Sequence, residues 1–403
     1  MQLSHRLDLI EPSPTLAITA RAAELKFAGQ DIVGFGAGEP DFDTPEHIKS
    51  AAIKALHEGF TKYTAVSGII DLKNAIVEKL KKDNGLIYQS NQIIVGTGGK
   101  QVLYNLFMAT LNPGDEVVVS APYWVSYKDM VRLAGGEVKV LVTRIEDEFK
   151  IQPAALEATL TAKTKLFVIN SPSNPTGSTY TPAEMTAIAR VLEKFPHLLV
   201  VTDDIYEKLI YEGEFSNPAM VSEKLRERTV VVNGLSKAYS MTGWRLGYAA
   251  GPKPIIDAMD MIQGQTTSNA TSFSQKGGVA ALTGDQACIE VMRTAFKKRR
   301  DLIVSMLQEC HGFKIHKPEG AFYVFPDISE LTNLAGFKKI QVENPGMDNG
   351  KVFCKVLLDQ YLVAAVPGSA FGYENGFRLS YATSETLIEK GVKRIQEFVK
   401  TLN

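Results

Sequence analysis

Apolar positions along this chain change period from stretch to stretch, and the changes mark out alternating strands and helices. Ile93-Ile94-Val95 is a short apolar run. A glycine-rich turn follows, then Val102, Leu103, Leu106 and Phe107 recur at helical spacing. The strand pattern returns at Glu116–Ser120, Val138–Val142, Lys165–Asn170, Leu198–Thr202 and Thr229–Asn233, and again over Leu246–Gly251. Leu198–Thr202 carries apolar residues on both faces, as expected of a strand buried in a parallel sheet. Helices fill the intervals; Thr181-Pro182-Ala183-Glu184 opens one of them as a capping box with proline at its first position. The alternation predicts an α/β domain.

Outside that region the pattern is looser. An irregular start with Pro12 and Pro14 leads into a helix over Ala17–Ala28, with Ala17, Ala20, Ala23 and Phe27 on one face. Helices are expected over Pro45–Glu58 and from Gly68 to about Lys82. After Gly251 they are expected over Ile255–Ile262, Phe273–Leu282 and Gln286–Cys310. Pro318–Phe325 opens a strand of a second domain, and residues 329–350 read as a long irregular connection. Val352–Leu358 is helical, Val363–Val366 and Gly376–Ala382 are strand-like, and Ser384 caps a final helix to about Lys400.

Composition narrows the class. The 403 residues are 45% apolar and 22% charged, as in ordinary globular proteins. A net charge of −1 points to neither a nucleic acid nor an anionic membrane as partner. No apolar run approaches membrane-spanning length, and Met1–Arg6 carries no signal core. The three cysteines and six histidines show no disulfide framework and no metal-ligand spacing. A reduced, cytoplasmic protein is expected. Lys297-Lys298-Arg299-Arg300 is the one dense basic run and reads as a solvated helix face.

The chemistry gathers at strand ends. Gly234-Leu235-Ser236-Lys237-Ala238-Tyr239-Ser240-Met241-Thr242-Gly243-Trp244-Arg245-Leu246-Gly247 follows the strand Thr229–Asn233. A lysine brought inward is desolvated, which lowers its pKa and makes it a nucleophile toward carbonyls; Arg245 suits a phosphate. Gly34-Phe35-Gly36-Ala37-Gly38-Glu39-Pro40-Asp41 has the wrong glycine spacing, and the wrong sequel, for a dinucleotide fold. Gly96-Thr97-Gly98-Gly99-Lys100 is either a plain tight turn or a helix N-terminus open to an anion, without P-loop spacing. Trp124 is a core aromatic or a stacking platform, and Asn174, in a Pro- and Gly-dense turn, is loop punctuation or a fixed donor. At the end of Leu198–Thr202, Asp203 and Tyr206 are three apart, and the neighbouring Asp204 is expected as an exposed cap. Arg378 is an edge-strand ion-pair partner or a bidentate carboxylate clamp.

Together these motifs resemble the class I and II pyridoxal-phosphate aminotransferases of the aspartate aminotransferase fold family, with Gly-Glu-Pro-Asp-Phe-Asp-Thr-Pro and Met-Thr-Gly-Trp-Arg resembling bacterial subgroup Ib. The resemblance implies an α/β fold of type I. Residues 45–285 would form a large domain around a mixed, mostly parallel sheet, and residues 1–44 with 286–403 a smaller α+β domain. It implies pyridoxal 5′-phosphate bound covalently by Lys237, which also moves the substrate's α-proton. Asp203 would pair with the ring nitrogen, Tyr206 and Asn174 with the phenolic oxygen, and Trp124 with the ring face. Gly98, Gly99, Lys100, Ser236 and Arg245 would hold the phosphate, joined across a homodimer interface by Tyr63. Gly38, Trp124, Asn174 and Arg378 would bind the substrate, its carboxylate meeting Arg378, Asn174 and the Gly38 backbone. The implied reaction moves an amino group between small-molecule amino and 2-oxo acids, L-aspartate and 2-oxoglutarate first. Aromatic, prephenate-like or broad substrates, or a lyase of the same fold, are the alternatives. Two positions depart from the pattern. Glu11 stands where some members carry a lysine that attracts a distal carboxylate, and Met108 offers no cation; Lys100 and Thr15 remain for that task.

Overall fold

In the computed structural model, which describes residues 3–402, the apolar runs become strands. They are β1 (Val33–Gly34), β2 (Ile93–Gly96), β3 (Glu116–Ala121), β4 (Glu137–Val142), β5 (Thr164–Asn170), β6 (Leu199–Asp203), β7 (Thr229–Gly234), β8 (Gly247–Ala250), β9 (Tyr323–Val324), β10 (Val363–Ala364), β11 (Val366–Pro367) and β12 (Phe377–Ser380). Seven form one sheet in the order β2-β8-β7-β6-β5-β3-β4. Its pairs are parallel except those of β8, which runs against both β2 and β7.

Alternation along each strand sends successive residues to opposite faces. Val117, Val119, Val230 and Val232 pack on Leu103 and Phe107 of the helix Gly99–Thr110 and on Met259 of Lys253–Gly264. On the other face, Val118 and Phe167 meet Met185 and Ile188 of Pro182–Glu193, while Val231 meets Leu72 and Ile76 of Ile70–Asn84. A separate core gathers Val324 and Leu379 against Phe296 and Ile303 of the helix Ala287–Gln308, with Ile388 and Ile395 of Glu385–Lys400.

The parallel strands finish side by side, so Ala121, Asn170, Asp203 and Gly234 lie along one edge, where open α/β sheets bind ligands. Next to them Gly96 and Gly234 both pair with Gly247, a row of three glycines across β2, β8 and β7. A Cβ on Gly247 would collide with the Gly99 backbone, and one on Gly234 would lie 2.9 Å from Leu246 O. Bare backbone is what lets the Gly98–Gly99 turn rest on the sheet.

Four expectations need correction. The N-terminal helix runs Pro14–Phe27, starting at its proline, and buries no side chain; Phe27 is 96% exposed. Residues 329–350 are not irregular throughout: Ala335–Glu343 is a helix anchored by buried Phe337. The basic run is not wholly solvated. Arg300 lies one helical turn beyond Phe296, inside the apolar stripe, and is fully buried; it pairs with Glu212 and Asp301, each at 2.9 Å, and donates to Pro318 O at 3.0 Å. Asp204 is not an exposed cap but is 1% exposed, with Thr202 and Asn217 donating to its carboxyl. Among the described residues no helix is long and apolar enough to cross a membrane.

Candidate active site

The carboxyl edge of the sheet floors a cavity of about 400 Å³, and the N-terminal helix and the β12 strand contribute to its walls. Lys237, on the turn after β7, reaches into it and donates to Gly38 O. Burial brings its amine down to about 8, an effect opposed by the Glu39 carboxylate. Lys237 is partly open to the cavity, so the amine is desolvated yet reachable.

Asp203 ends β6, buried at 6% exposure. Burial pushes its carboxyl up to about 6, and the Tyr127 hydroxyl, donating at 2.6 Å, restrains the rise. Tyr206, on the next turn, shares a 2.7 Å hydrogen bond with the Tyr323 hydroxyl of β9. Asn174 is set by Asn170: the Asn174 backbone donates to Asn170 Oδ1 at 2.8 Å, while Asn170 Nδ2 donates to Asp203 O at 2.8 Å. Arg378, on β12, donates to Asn174 Oδ1 at 2.9 Å and to Gly36 O at 2.7 Å. Its guanidinium lies 4.5 Å over the Tyr323 ring, and its buried Nε has no partner.

An anion has a place at the other end. Gly98 precedes the helix Gly99–Thr110 at φ 91° with no side-chain cap, leaving the first N–H groups of the helix free. Arg245 packs its guanidinium against Gly98 and is itself held by a 2.9 Å donation to Thr242 O. Lys100, its amine lowered by burial and then by the Arg245 charge, lies 5.2 Å over the Trp124 ring. Ser236 and Gly99 also line the cavity. A buried carboxyl, a reachable amine, a flat aromatic wall and an anion seat at one end fit a planar, anion-bearing carbonyl cofactor.

Eleven of the thirteen residues singled out from the sequence line this cavity; Gly98 sits just behind it and Tyr63 stands apart, 91% exposed. Glu11 does not line the cavity, and its charge falls beside Tyr123 and Asp129. Met108 does not line it either. Tyr127 in the helix Ser126–Leu133, Tyr323 on β9 and Asn170 at the end of β5 hold the predicted residues in place and carry no local signal of that role.

The family model for aminotransferase class I and II matches residues 30–395. The chain belongs to the class I and II aminotransferases. This aminotransferase is similar to the aspartate/prephenate aminotransferase of Cereibacter sphaeroides, 50% identical over 402 residues, 100% of this chain and 99% of that one. The aspartate aminotransferase of Bacillus subtilis is 48% identical over 401 residues, covering 99% of each. Among solved structures, the aspartate aminotransferase from Rhizobium meliloti matches with a TM-score of 0.93 at 42% identity, over 100% of both chains. That from Thermus thermophilus with maleate matches at 0.91 and 43%, again over 100% of both. The aminotransferase therefore has the α/β fold of type I expected from its motifs.

Proposed function

We propose that this aminotransferase uses pyridoxal 5′-phosphate to exchange an amino group between L-aspartate and 2-oxoglutarate, yielding oxaloacetate and L-glutamate. The observation that carries the reading is the Lys237 amine, lowered to about 8 and set in one cavity with a buried carboxyl and a buried guanidinium. When bound, the cofactor supplies an aldehyde carbon and an electron-accepting ring. Gly98, Gly99, Ser236 and Arg245 would hold its phosphate, Asp203 its ring nitrogen, Tyr206 and Asn174 its phenolic oxygen, and Trp124 its ring face.

Around that group each residue has one task. Arg378 offers a bidentate clamp to the substrate's α-carboxylate, which Asn174 shares. Lys237, neutral above about pH 8, would accept the α-proton at Nζ and return it two bonds away, at the aldehyde carbon the cofactor supplies. Asp203, ionised above about pH 6, stabilises a proton on the ring nitrogen. A distal carboxylate finds the Lys100 amine and the Thr15 hydroxyl, whose Oγ1 has no partner. Glu11 is not among the residues that line the cavity. The relatives named for both aspartate and prephenate make prephenate the second acceptor to test. Residues 45–285 would bind the cofactor, with 1–44 and 286–403 as the cover. A homodimer would bring the exposed Tyr63 to the other subunit's phosphate. The free thiols Cys288, Cys310 and Cys354 suit a cytoplasmic setting.

Incubation with aspartate and 2-oxoglutarate should yield oxaloacetate and glutamate. Release of ammonia or carbon dioxide instead would replace transamination with a lyase. Lys237→Ala should abolish both turnover and the absorbance of the lysine-bound cofactor.

A further inference from the structure

Away from this cavity, one cluster has the make-up of a cation site. Glu148, His316 and Glu319 each bring a ligand atom within 4.8 Å of the others. Glu148 follows the turn Ile145–Asp147, and the other two lie in the segment leading into β9. The His316 side chain is only 7% exposed, and its Nε2 lies 3.3 Å from Glu319 Oε2. That is within ion-pair reach, yet the contact is poorly aligned for a hydrogen bond and Nε2 has no other partner among the described residues. A buried, unpartnered ring nitrogen calls for a ligand. An imidazole beside two carboxylates is a donor set taken by zinc and its borderline neighbours. The cluster opens onto a groove of about 650 Å³, which gives an ion access.

Lys150 shares these carboxylates, 2.7 Å from Glu148 and 3.8 Å from Glu319. Glu184, 3.3 Å from the same ammonium, offers it a third partner. We propose that Glu148, His316 and Glu319 form a binding site for a divalent cation of the zinc class, with Lys150 as its internal competitor, turning to Glu184 when the ion arrives. Glu319 also accepts from Thr179 N at 3.1 Å, and Glu319 N and Gly320 N donate to Gly177 O at 3.1 and 2.9 Å. Gly177 closes the turn that carries Asn174, so the ion clamps the segment leading into β9 onto that turn and raises the melting temperature. The site stands whether or not the transamination reading does.

The test is equilibrium dialysis of the tag-free holoenzyme against zinc chloride, with metal analysis of the washed protein and calorimetric titration. The wild type should retain one zinc per chain. Both His316→Ala and Glu148→Gln should weaken binding by about tenfold or more. The Glu148 side chain is half exposed, so its variant tests the site without threatening the fold. Lys150→Met should bind more tightly than the wild type. Absence of zinc from both wild type and Lys150→Met overturns the site, as does equal retention by wild type, His316→Ala and Glu148→Gln. A Lys150→Met protein that binds no more tightly than the wild type overturns the competition.

Discussion

The Tyr127 hydroxyl sets the charge state of Asp203, and removing it gives a calculable result. Burial raises the Asp203 carboxyl from 3.8 to about 6, and the Tyr127 hydrogen bond is the first influence opposing that rise. A hydrogen bond to a charged group contributes about 1.5–3 kcal/mol, and one pKa unit is about 1.4 kcal/mol. Tyr127→Phe should therefore raise the Asp203 pKa by roughly one to two units, into the neutral range. A carboxyl whose folded pKa exceeds its unfolded value costs stability once it ionises. In the cofactor-free wild type that cost accrues between about pH 4 and about pH 6, reaches roughly 3 kcal/mol, and is constant above. In Tyr127→Phe the falling window should extend to roughly pH 7–8. Melting temperatures of both apo-proteins across this range would show it. Other ionising groups are common to the two proteins, so the difference belongs to Asp203. Superimposable profiles would refute the role given to Tyr127.

The Lys237 amine, brought down to about 8, should capture pyridoxal phosphate at a rate that climbs through that pH and levels beyond about 9; a rate indifferent to pH between 7 and 9 would contradict this. In Gly98→Ala the new Cβ sits at φ 91° and 2.5 Å from Arg245 Nη2. Strain of about 1–3 kcal/mol should weaken cofactor binding roughly tenfold or more, read by equilibrium dialysis, and unchanged affinity would remove Gly98 from the anion seat. Burial pushes Asp204 up to about 8, so the wild type should lose stability as pH rises from about 4 to that value. Asp204→Asn lacks the ionisation, and its melting temperature should gain on the wild type over the same span; parallel curves would mean that Asp204 is ionised throughout.

Much of the site was legible because its residues follow strands that the local pattern reveals. Trp124, Asn174, Asp203 and Lys237 each come just after such a run or close it, and the edge of a parallel sheet gathers what its strands deliver. Tyr127 was not legible, since its bond to Asp203 joins residues 76 positions apart. The Arg300 error came from letting charge override period, although one turn after Phe296 is a buried position on that helix. The helix Ala335–Glu343 was hidden by scattered glycine and asparagine, and Gly336 is needed where the chain touches the backbone of Leu402. Glu11 counted against an acidic substrate by its place in a motif, but it does not line the cavity. The open face of the helix Pro14–Phe27 had an apolar period that nothing among the described residues buries.

The row Gly96, Gly247 and Gly234 makes the floor of the anion seat bare backbone, to which Arg245 and Ser236 add their side chains. The side chains proposed to meet the far end of a substrate lie on the N-terminal helix, with Lys100 of the helix Gly99–Thr110 opposite. The floor of the anion seat and the wall proposed to choose the substrate thus rest on different kinds of atoms. Substitutions can alter which acids the enzyme accepts while the glycine row stays as it is. An engineer seeking a new amino donor has freedom at Thr15, Leu16 and Thr19, and none at Gly247.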